Sequence, residues 1–576
     1  MTFLGWFILF MVIQVIHYLG TWKLYEKAGR KSWEALVPIY NAIVLMKIIN
    51  RPSWYVILLF IPVVNLLMFP VVWVETIRSF GKNTTKDTWL VLLTFGFYIY
   101  YLNYKEIDKL EYVENRSLKP KNFVADFISS VVFGVIVATV IHTYFIQPFV
   151  IPTGSLEKTL LVGDYLLVSK VHYGARVPNT AVAMPMMHDS IFVIPTSYEG
   201  LPKYVNRYKS YLNKPQIPYL RLPGFATVKK NDIVVFNWPT DTIRYFGDKT
   251  AQGIRKPVDK KSNYVKRCVA TAGDTLVGKN GDLYINGDLL KLSDRAKPQY
   301  MTNVVVKEGV VEKVLNQTEI KPASLTYRIK KQIWDDNKFQ LHIADPKNGI
   351  YLTEQSRDSL YVTAFGSVRN QELMQRIPIE LNTNQFNAFI TVQQAEALTQ
   401  NLDVLNVNRV NFPADKSIFP HTKDWSVDNF GPIYVPQKGA TITLNRDNLP
   451  FYKMIIKEYE KNDLKVVGDD IYINDQLTPK YTFKQNYYWM MGDNRHNSED
   501  SRMWGFVPED HVLGKPVFIW FSRDAETGNI RWDRVFTTVG GDGEPKSYLR
   551  WFLIVLCLYF VAEYFWKKKK KTEKNN

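Results

Sequence analysis

Two side chains in this sequence, Ser155 and Lys266, are suited to nucleophilic catalysis. Ser155 follows a glycine in the stretch PFVIPTGSLEK, and Lys266 lies in the mainly apolar run YVKRCVA. A serine hydroxyl becomes a good nucleophile when a base takes its proton, and a neutral lysine can act as that base. Apolar surroundings lower the pKa of a lysine from about 10.4 and so favour the neutral amine. Taken alone, each residue has a plainer interpretation, namely an incidental turn serine and an edge-strand lysine that points into solvent.

A third polar segment, MMGDNRHNSEDSRMWGFVP at residues 490–508, lies between two apolar strand-like runs. Taken alone, it could be a turn held by Asp–Arg pairs. Metal chemistry has little support. The eight histidines are scattered, and the H-E-x-x-H pattern of zinc proteases is absent. The two cysteines, Cys268 and Cys557, are far apart, which argues against a disulfide framework and a thiolate metal site. We therefore expect no metal and no cofactor.

The elements that must position these residues are mainly strands. Short runs rich in Val, Ile, Phe and Tyr, bounded by turn residues, recur through residues 148–546 and predict a β-rich region. Examples are residues 232–237, 264–270 and 517–521. Two similar stretches, GDLYINGDL and GDDIYINDQL, begin at Gly281 and Gly468, and each predicts a strand–Asn–strand hairpin.

Between about 291 and 410 the sequence pattern changes. Residues 371–401 contain helical spacing together with many polar side chains. This change predicts a separate mixed α/β insertion within the β-rich region.

Five apolar stretches predict membrane-spanning helices. They comprise residues 3–21, 54–74, 89–102, 127–146 and 551–566. The first lacks a basic n-region and a small-residue cleavage site, so it predicts an anchor and not a removable signal peptide. The apolar stretch 35–49 could be a re-entrant or interfacial helix.

The formal net charge is +17, and many lysines and arginines flank the apolar stretches. Because basic residues beside membrane spans mark the cytoplasmic side, this pattern favours membrane orientation over nucleic-acid binding. Five spans with the N-terminus outside place the lysine run 567–571 in the cytoplasm and residues 148–546 outside. Arg78, Lys82 and Lys86 conflict with this arrangement, since it places their short loop outside.

The order of these features resembles that of the bacterial type I signal peptidases. A membrane span is followed by the serine stretch, the DIVVF strand, the lysine strand and the GDNR segment. The match covers about residues 148–290 and 411–522. It implies a mainly β catalytic domain of signal-peptidase type, with several transmembrane α-helices and a mixed α/β insertion. It also implies a serine endopeptidase that cuts signal peptides after small residues, at Ala-x-Ala-like sites.

The resemblance implies a role for each matching residue. Ser155 matches the nucleophile, Lys266 the general base, and Ser498 the residue that orients the lysine amine. Thr153 and the backbone N–H of Ser155 match the oxyanion hole. The supporting residues are the ion pair of Asp500 with Arg502, together with Asp493 and Arg267. The residues that match the shallow substrate pockets are Ile151, Pro152, Leu156, Leu160, Tyr264 and Val265.

Three positions depart from the usual residues of the family. Thr153 replaces the commoner serine and keeps its hydroxyl, and Leu156 replaces the usual methionine at similar volume. His496 stands where an aspartate is common. None of these changes removes a group that the chemistry needs. The N-terminal spans and residues 291–410 lie outside the family's common core.

The resulting organisation has six segments. They are an N-terminal membrane region with about three spans (1–121), a transmembrane anchor (122–147), the first part of the catalytic domain (148–290), an accessory insertion (291–410), the second part of the catalytic domain (411–546), and a C-terminal transmembrane helix with a lysine-rich tail (547–576). We expect that peptide cleavage survives removal of the insertion.

The expected location is the bacterial inner (cytoplasmic) membrane, as a multi-pass protein with its catalytic domain outside the cytoplasm. The expected partners are the signal peptides of exported preproteins and the lipid bilayer. The secretion translocon is a further candidate partner, and nucleic acid is not expected.

Two other interpretations compete with this one. Residues 155–158 fit the S-x-x-K motif of penicillin-binding proteins, but the accompanying K-T-G is absent. An inactive relative that acts as a membrane scaffold for secretion components would keep the fold without the chemistry. Cleavage of a peptide with an Ala-x-Ala site by the purified protein distinguishes the enzyme from the scaffold.

Overall fold

The computed structural model describes residues 2–118, 123–195, 205–242, 253–318, 320–342, 350–352, 360–366 and 380–575. Among these residues, three helices are long and apolar enough to cross a membrane. They are Phe3–Lys27, Phe123–Phe145 and Leu549–Lys568, and they correspond to the first, fourth and fifth predicted spans. The β-rich region lies in the chain between the second and the third of these helices.

The described part of the N-terminal region is helical. Its helices are α1 (Phe3–Lys27), α2 (Tyr40–Ile48), α3 (Tyr55–Phe60), α4 (Val64–Ser79), α5 (Thr85–Leu93), α6 (Tyr98–Lys105) and α7 (Phe123–Val140), which continues as a π-turn (Ile141–Phe145). Helices α1 to α6 share one apolar core. The apolar stretch 35–49 contributes α2 to this core, where Val44 and Met46 are fully buried.

The predicted span 54–74 is not one continuous helix, because this stretch is divided between α3 and α4. The chain leaves the helical conformation at Ile61, whose ψ is 115°, and Val63 has a φ of 70°. Ile61 precedes Pro62, and the residue before a proline is disfavoured in the helical conformation. The break between α3 and α4 therefore has a local cause.

The predicted span 89–102 is likewise divided between two helices, α5 and α6. Phe95 and Gly96 both have positive φ and separate α5 from α6. A Cβ atom at Gly96 would lie 2.8 Å from the ring of Trp73, so the turn needs glycine both for its backbone conformation and for space.

Each pair of short helices turns back on itself as a hairpin. The ion pair between Arg51 and Glu75, at 3.2 Å, joins the start of the α3–α4 hairpin to its end. Lys82 pairs with Glu106 across the two ends of the α5–α6 hairpin. The basic loop between the hairpins therefore lies at the same end of the helical region as Arg51.

The β-rich region has antiparallel strands on both sides of the insertion. Before the insertion come β1 (Ile146–Val150), β2 (Asp164–Ser169), β3 (Ser190–Pro195), β4 (Val205–Lys209), β5 (Ile233–Asn237), β6 (Asn263–Ala270), β7 (Thr275–Lys279), β8 (Asp282–Ile285) and β9 (Asp288–Leu289). The insertion contains β10 (Gln299–Val306), α8 (Val311–Thr318), β11 (Ser324–Lys330), α9 (Lys331–His342), β12 (Ile350–Leu352), β13 (Tyr361–Gly366), β14 (Glu380–Thr391), α10 (Val392–Thr399) and β15 (Val404–Arg409).

The remaining elements follow the insertion. They are β16 (Phe430–Tyr434), β17 (Thr441–Thr443), α11 (Leu449–Met454), β18 (Leu464–Val467), β19 (Asp470–Ile473), β20 (Gln476–Leu477), β21 (Lys480–Thr482), β22 (Tyr487–Met491), α12 (Ser501–Trp504), β23 (Val507–Pro508), β24 (Val512–Ser522), β25 (Thr537–Thr538) and α13 (Leu549–Asn575).

One sheet carries both candidate catalytic residues. Its strand order is β1-β2-β24-β5-β6-β22-β23, with β25 paired to β24. Ser155 follows the edge strand β1, and Lys266 lies on β6 opposite Val234 of β5. Strands from before the insertion (β1 and β2, then β5 and β6) are interleaved with strands from after it (β24, then β22 and β23). Both parts of the chain are therefore needed to build the site.

The two predicted hairpins are confirmed. Strands β8 and β9 pair across Asn286 and Gly287, and β19 and β20 pair across Asn474 and Asp475. All four turn residues have positive φ, as a two-residue hairpin turn of this kind requires.

The insertion has a six-stranded sheet in the order β12-β13-β11-β14-β10-β15 and an apolar core of its own. Its mixed α/β character is confirmed. The helical interpretation of 371–401 holds for α10 but is wrong for residues 380–391, which form β14, and residues 371–379 lie outside the described residues. Alternate side chains of β14 are buried, namely Phe386, Ala388 and Ile390. This period of two is typical of a strand.

Candidate active site

Ser155 and Lys266 meet beyond the end of edge strand β1. Ser155 lies in a short 3-10 turn, Gly154–Leu156, and Lys266 lies inside β6. The Nζ atom of Lys266 donates a hydrogen bond to Oγ of Ser155 over 2.5 Å. Both residues are buried, with 8% and 3% of their surfaces exposed. The pair therefore has the close contact that proton transfer between a hydroxyl and an amine requires.

Burial lowers the pKa of Lys266 from 10.5 to about 8. The carboxylates of Asp500 and Glu499 favour the ammonium and act in the opposite direction, but the loss of hydration dominates the pKa. A considerable fraction of Lys266 is therefore neutral just above neutral pH. The neutral amine can accept the proton of Ser155 along the same hydrogen bond.

Asn494 holds the serine turn from the opposite side. Its backbone N–H donates to the carbonyl of Ser155 over 3.0 Å, and its side-chain Nδ2 donates to the carbonyl of Gly154 over 3.3 Å. Asn494 lies inside the GDNR segment but was not among the predicted site residues. Its position next to the predicted Asp493 is the signal that could have identified it.

Two buried ion pairs brace the loop that contains Asn494. Nε and Nη2 of Arg267 donate to the two carboxylate oxygens of Asp493 over 2.7 and 2.6 Å. Nε and Nη2 of Arg502 donate to Asp500 over 2.9 and 2.8 Å. Burial alone would raise the pKa of each carboxyl group, but the paired guanidinium outweighs it and leaves both pKa values below the usual range. Both aspartates are therefore charged at neutral pH, and the two-pronged contacts fix the loop.

The first strand of the insertion bonds directly to the same loop. The N–H of Gln299 donates to the carbonyl of Asp493 over 2.8 Å, and the N–H of Arg495 donates to the carbonyl of Gln299 over 2.9 Å. Removal of residues 291–410 would strip these bonds from the loop that holds the serine turn. The structure thus argues against the expectation that cleavage survives removal of the insertion.

His496, which departs from the usual aspartate, also connects the loop to the insertion. The N–H of Met301 donates to its Nδ1 over 2.9 Å, so the ring proton lies on Nε2. Nε2 then donates to Asp428 over 2.7 Å. The histidine side chain is fully buried, and both of its ring nitrogens have a partner.

Two other predicted residues have no catalytic contact in this structure. The Oγ atom of Ser498 is buried and has no hydrogen-bond partner among the described residues, so it does not bond to the amine of Lys266. Thr153 is exposed, and its side chain does not cap the serine turn. The orienting role of Ser498 and the oxyanion role of Thr153 stay predictions.

The predicted pocket residues differ in exposure. Ile151, Leu156 and Leu160 are at least 97% buried, with 3%, 1% and 1% exposed, and belong to the apolar core below the sheet. Tyr264 and Val265 are half-buried, and Pro152 is exposed. The three buried residues thus form a floor rather than the walls of a deep pocket.

One edge of β6 is open beside the lysine. Residues 264–266 pair with β5 on one side, while β22 pairs with β6 only from Arg267 to Ala270 on the other. In the described part of the chain no further strand covers this edge of Val265 and Lys266. An extended peptide could therefore bind here by adding a strand.

Metal-ligating side chains are not clustered at this site. Among the described residues, no group of three or more His, Cys, Asp or Glu side chains could hold a metal ion.

Two known protein families match this chain. The model described as signal peptidase, peptidase S26, matches residues 124–376 and 434–521, which together exceed half of the chain. A family of unknown function (DUF5684) matches residues 33–115. The peptidase match reaches residue 376 and so includes much of the insertion, which was predicted to lie outside the family's common core.

Similar proteins include several called signal peptidase I. The one from Buchnera aphidicola subsp. Acyrthosiphon pisum is 24% identical over 430 residues, which cover 74% of this chain and 84% of the relative. The one from Buchnera aphidicola subsp. Baizongia pistaciae is 23% identical over 421 residues, or 72% of this chain and 84% of the relative. One from Helicobacter pylori is 40% identical over 135 residues, or 19% of this chain and 44% of the relative.

Proposed function

The chain belongs to the signal peptidase family, peptidase S26, and on this basis we propose that it removes N-terminal signal peptides from exported preproteins. We describe it as a membrane-bound serine endopeptidase that cuts after small residues, at Ala-x-Ala-like sites. The main support is the buried hydrogen bond between Nζ of Lys266 and Oγ of Ser155. A serine beside a lysine of lowered pKa is a nucleophile beside its own base.

In the proposed reaction, neutral Lys266 takes the hydroxyl proton of Ser155 while Oγ attacks the carbonyl carbon of the scissile bond. The lysine ammonium then gives this proton to the departing amine, which becomes the N-terminus of the mature protein. Lys266 next deprotonates a water molecule that attacks the acyl ester. This step releases the signal peptide and returns the proton to Ser155.

The negative oxygen of the tetrahedral intermediate needs donors that are already in place. We assign this role to the backbone N–H of Ser155 and the hydroxyl of Thr153. The Thr153 side chain is exposed and is not used as a helix cap, which leaves it free to turn towards a substrate.

The substrate is proposed to bind as an extended strand along the open edge of β6. Its backbone would bond to Val265 and Lys266, beside which β22 does not pair with β6. The side chains before the cleaved bond would then face the floor formed by Ile151, Leu156 and Leu160. Because these residues are almost fully buried, the floor offers little depth, which favours small substrate side chains.

Three spans give a consistent orientation in the bacterial inner membrane. With α1, α7 and α13 as the spans, the lysine-rich tail and the segments that join the two hairpins to the spans and to each other are cytoplasmic, the two hairpins enter the membrane from that side, and the β-rich region is outside. The basic loop of Arg78 and Lys82 then no longer conflicts with the charge rule. Val63, at the tip of the α3–α4 hairpin, packs against Ala183 and Tyr211 of the β-rich region, so this hairpin reaches towards the outer side.

Cysteine labelling in intact cells tests this orientation. In a chain that carries Cys557→Ser, a cysteine at Lys86→Cys should react with an impermeant reagent only after lysis, whereas one at the exposed Lys438→Cys should react in intact cells. Labelling of the Lys86→Cys chain in intact cells would favour the five-span arrangement.

A cleavage assay tests the proposed activity. Purified wild type should cut a peptide that contains an Ala-x-Ala site after the second alanine, and Ser155→Ala should not. Failure of the wild type to cut would support the inactive scaffold instead.

A further inference from the structure

A cleft of about 610 Å³ lies next to the candidate nucleophile. Gly154 and Asn494 line it on the side of the serine turn, and Ala323 and Phe389 line it on the side of the insertion. The cleft is therefore a feature that neither part of the chain forms alone. It begins at Gly154, one residue before Ser155.

Two side-chain amides at the base of this cleft are incompletely bonded. Nε2 of Gln299 and Oδ1 of Asn494 are buried and have no hydrogen-bond partner among the described residues. Both residues line the cleft, and only 1% and 3% of their surfaces are exposed. Unpaired buried polar atoms are uncommon and point to a missing partner.

The missing partner has the chemistry of a peptide backbone. Gln299 offers a donor and Asn494 an acceptor, which together complement the C=O and N–H groups of an extended chain. Three basic side chains (Lys158, Lys321 and Arg531) and three acidic ones (Glu157, Asp524 and Glu526) line the cleft, and Lys321 bonds to Glu526 over 2.6 Å and Arg531 to Asp524 over 2.9 Å. The cleft thus lacks the excess of one charge that a phosphate or a polyacidic ligand would need.

We propose that this cleft binds the first residues of the mature protein, on the carboxyl side of the cleaved bond, as an extended peptide. The inference rests on the proposed function and assigns a substrate-binding role to the insertion. Residues before the cleaved bond occupy the open edge of β6. Residues after it leave the serine through the cleft, between Asn494 and the wall that contains Ala323 and Phe389.

Peptides of two lengths test this inference on the full-length protein. Both contain the same Ala-x-Ala site, followed by one residue or by about eight residues, which would cross the cleft at about 3.3 Å per residue. Wild type should cut the longer peptide with a kcat/KM about tenfold higher, mainly through a lower KM. Ala323→Trp, which fills the cleft, should lose this preference and still cut the short peptide at the wild-type rate.

Ala397→Trp is the matched control, because Ala397 is exposed on α10 and does not line the cleft. This variant should keep the length preference. Equal cleavage of both peptides by the wild type would overturn the inference while leaving the proposed function intact. Loss of the short-peptide activity in Ala323→Trp would also count against it, because the substitution would then act on the chemistry. If the wild type cut neither peptide, the proposed function itself would fail.

Discussion

Two buried lysines lie in different regions of the molecule, Lys266 beside Ser155 and Lys170 beside the π-turn at the C-terminal end of helix α7. Burial lowers the pKa of both from 10.5, to about 8 for Lys266 and to about 7 for Lys170. Their partners differ. Nζ of Lys266 donates to a hydroxyl, whereas Nζ of Lys170 donates to the carbonyls of His142 over 2.9 Å and Thr143 over 3.1 Å.

The two lysines differ in function because their hydrogen-bond partners differ, and not because their pKa values differ. A hydroxyl group can give its proton to a neutral amine, whereas a carbonyl group has no proton to give. Lys170 satisfies carbonyl groups that the end of the membrane helix leaves open, so its role is that of a helix cap. A lowered pKa shows that a lysine is buried, and the neighbouring group decides whether it can be a base.

The largest expected difference between the two regions is in turnover. Lys266→Met should lower kcat on the order of 10⁴-fold or more, as loss of a base or nucleophile does in other serine proteases. Lys170→Met should keep kcat within about tenfold, because the cap takes no part in proton transfer. Initial rates on one peptide measure both. Similar losses in the two variants would remove the distinction.

Variants of Thr153 test whether catalysis depends on a group other than Ser155 and Lys266, namely an oxyanion donor. Thr153→Ala should lower kcat about 10²- to 10³-fold with little change in KM, because an oxyanion donor acts in the transition state. Thr153→Ser keeps the hydroxyl and should stay active. Full turnover of Thr153→Ala would show that another group supplies the second donor.

The stability of Lys266→Met tests the cost of the buried base. With its pKa lowered to about 8, Lys266 holds its proton less tightly in the folded chain than in the unfolded one, so it destabilises the fold below pH 10.5. The cost is complete below about pH 8, where it reaches about 3 kcal/mol, and it fades between pH 8 and 10.5. Lys266→Met should therefore unfold at higher denaturant concentration than wild type at pH 6.5, with a gain that shrinks towards pH 10. A less stable variant at pH 6.5 would indicate a paired cation.

The smallest expected effect is that of Lys170→Met on the pH dependence of kcat/KM. The wild-type kcat/KM should rise about tenfold per pH unit below the Lys266 pKa of about 8 and level off above it. Lys170→Met should show the same limb, because Lys170 does not supply the titrating base. If kcat/KM rose over a different pH range in this variant, the titrations of the two lysines would be coupled.

Ser155 and Lys266 were singled out by residue type, but each alone had a plainer interpretation, and only the order of the serine, lysine and GDNR stretches linked them. The structure brings the two side chains into hydrogen-bond contact, and it pairs Arg267 from the lysine stretch with Asp493 from the GDNR stretch. Asn494 was missed because its side chain acts on the backbone of Gly154, which depends on a contact across the fold. The bond of Gln299 to the catalytic loop is equally distant in sequence, so the coupling of the insertion to the site could not be predicted.

The membrane region was predicted less well for a physical reason. Hydropathy counts apolar side chains and does not register the backbone, so Pro62 and Gly96 lay inside stretches that were apolar enough to span. Each of these residues breaks a helix and turns the chain back. Once hairpins replace spans, the charges of Arg78 and Lys82 agree with the orientation that the lysine-rich tail indicates.

The site is assembled from segments that are distant in sequence, which has a consequence for the synthesis and folding of the protein. The bond between Ser155 and Lys266 joins residues 111 positions apart, and that between Arg267 and Asp493 joins residues 226 apart. A ribosome has made α1, α7 and four of the eight strands of the catalytic sheet long before Asn494 arrives to support the serine turn. Since contacts this distant form late in folding, the nascent chain passes through the export pathway without a completed active site. The proposed catalytic site therefore stays incomplete until Asn494 and strand β24 have been synthesised.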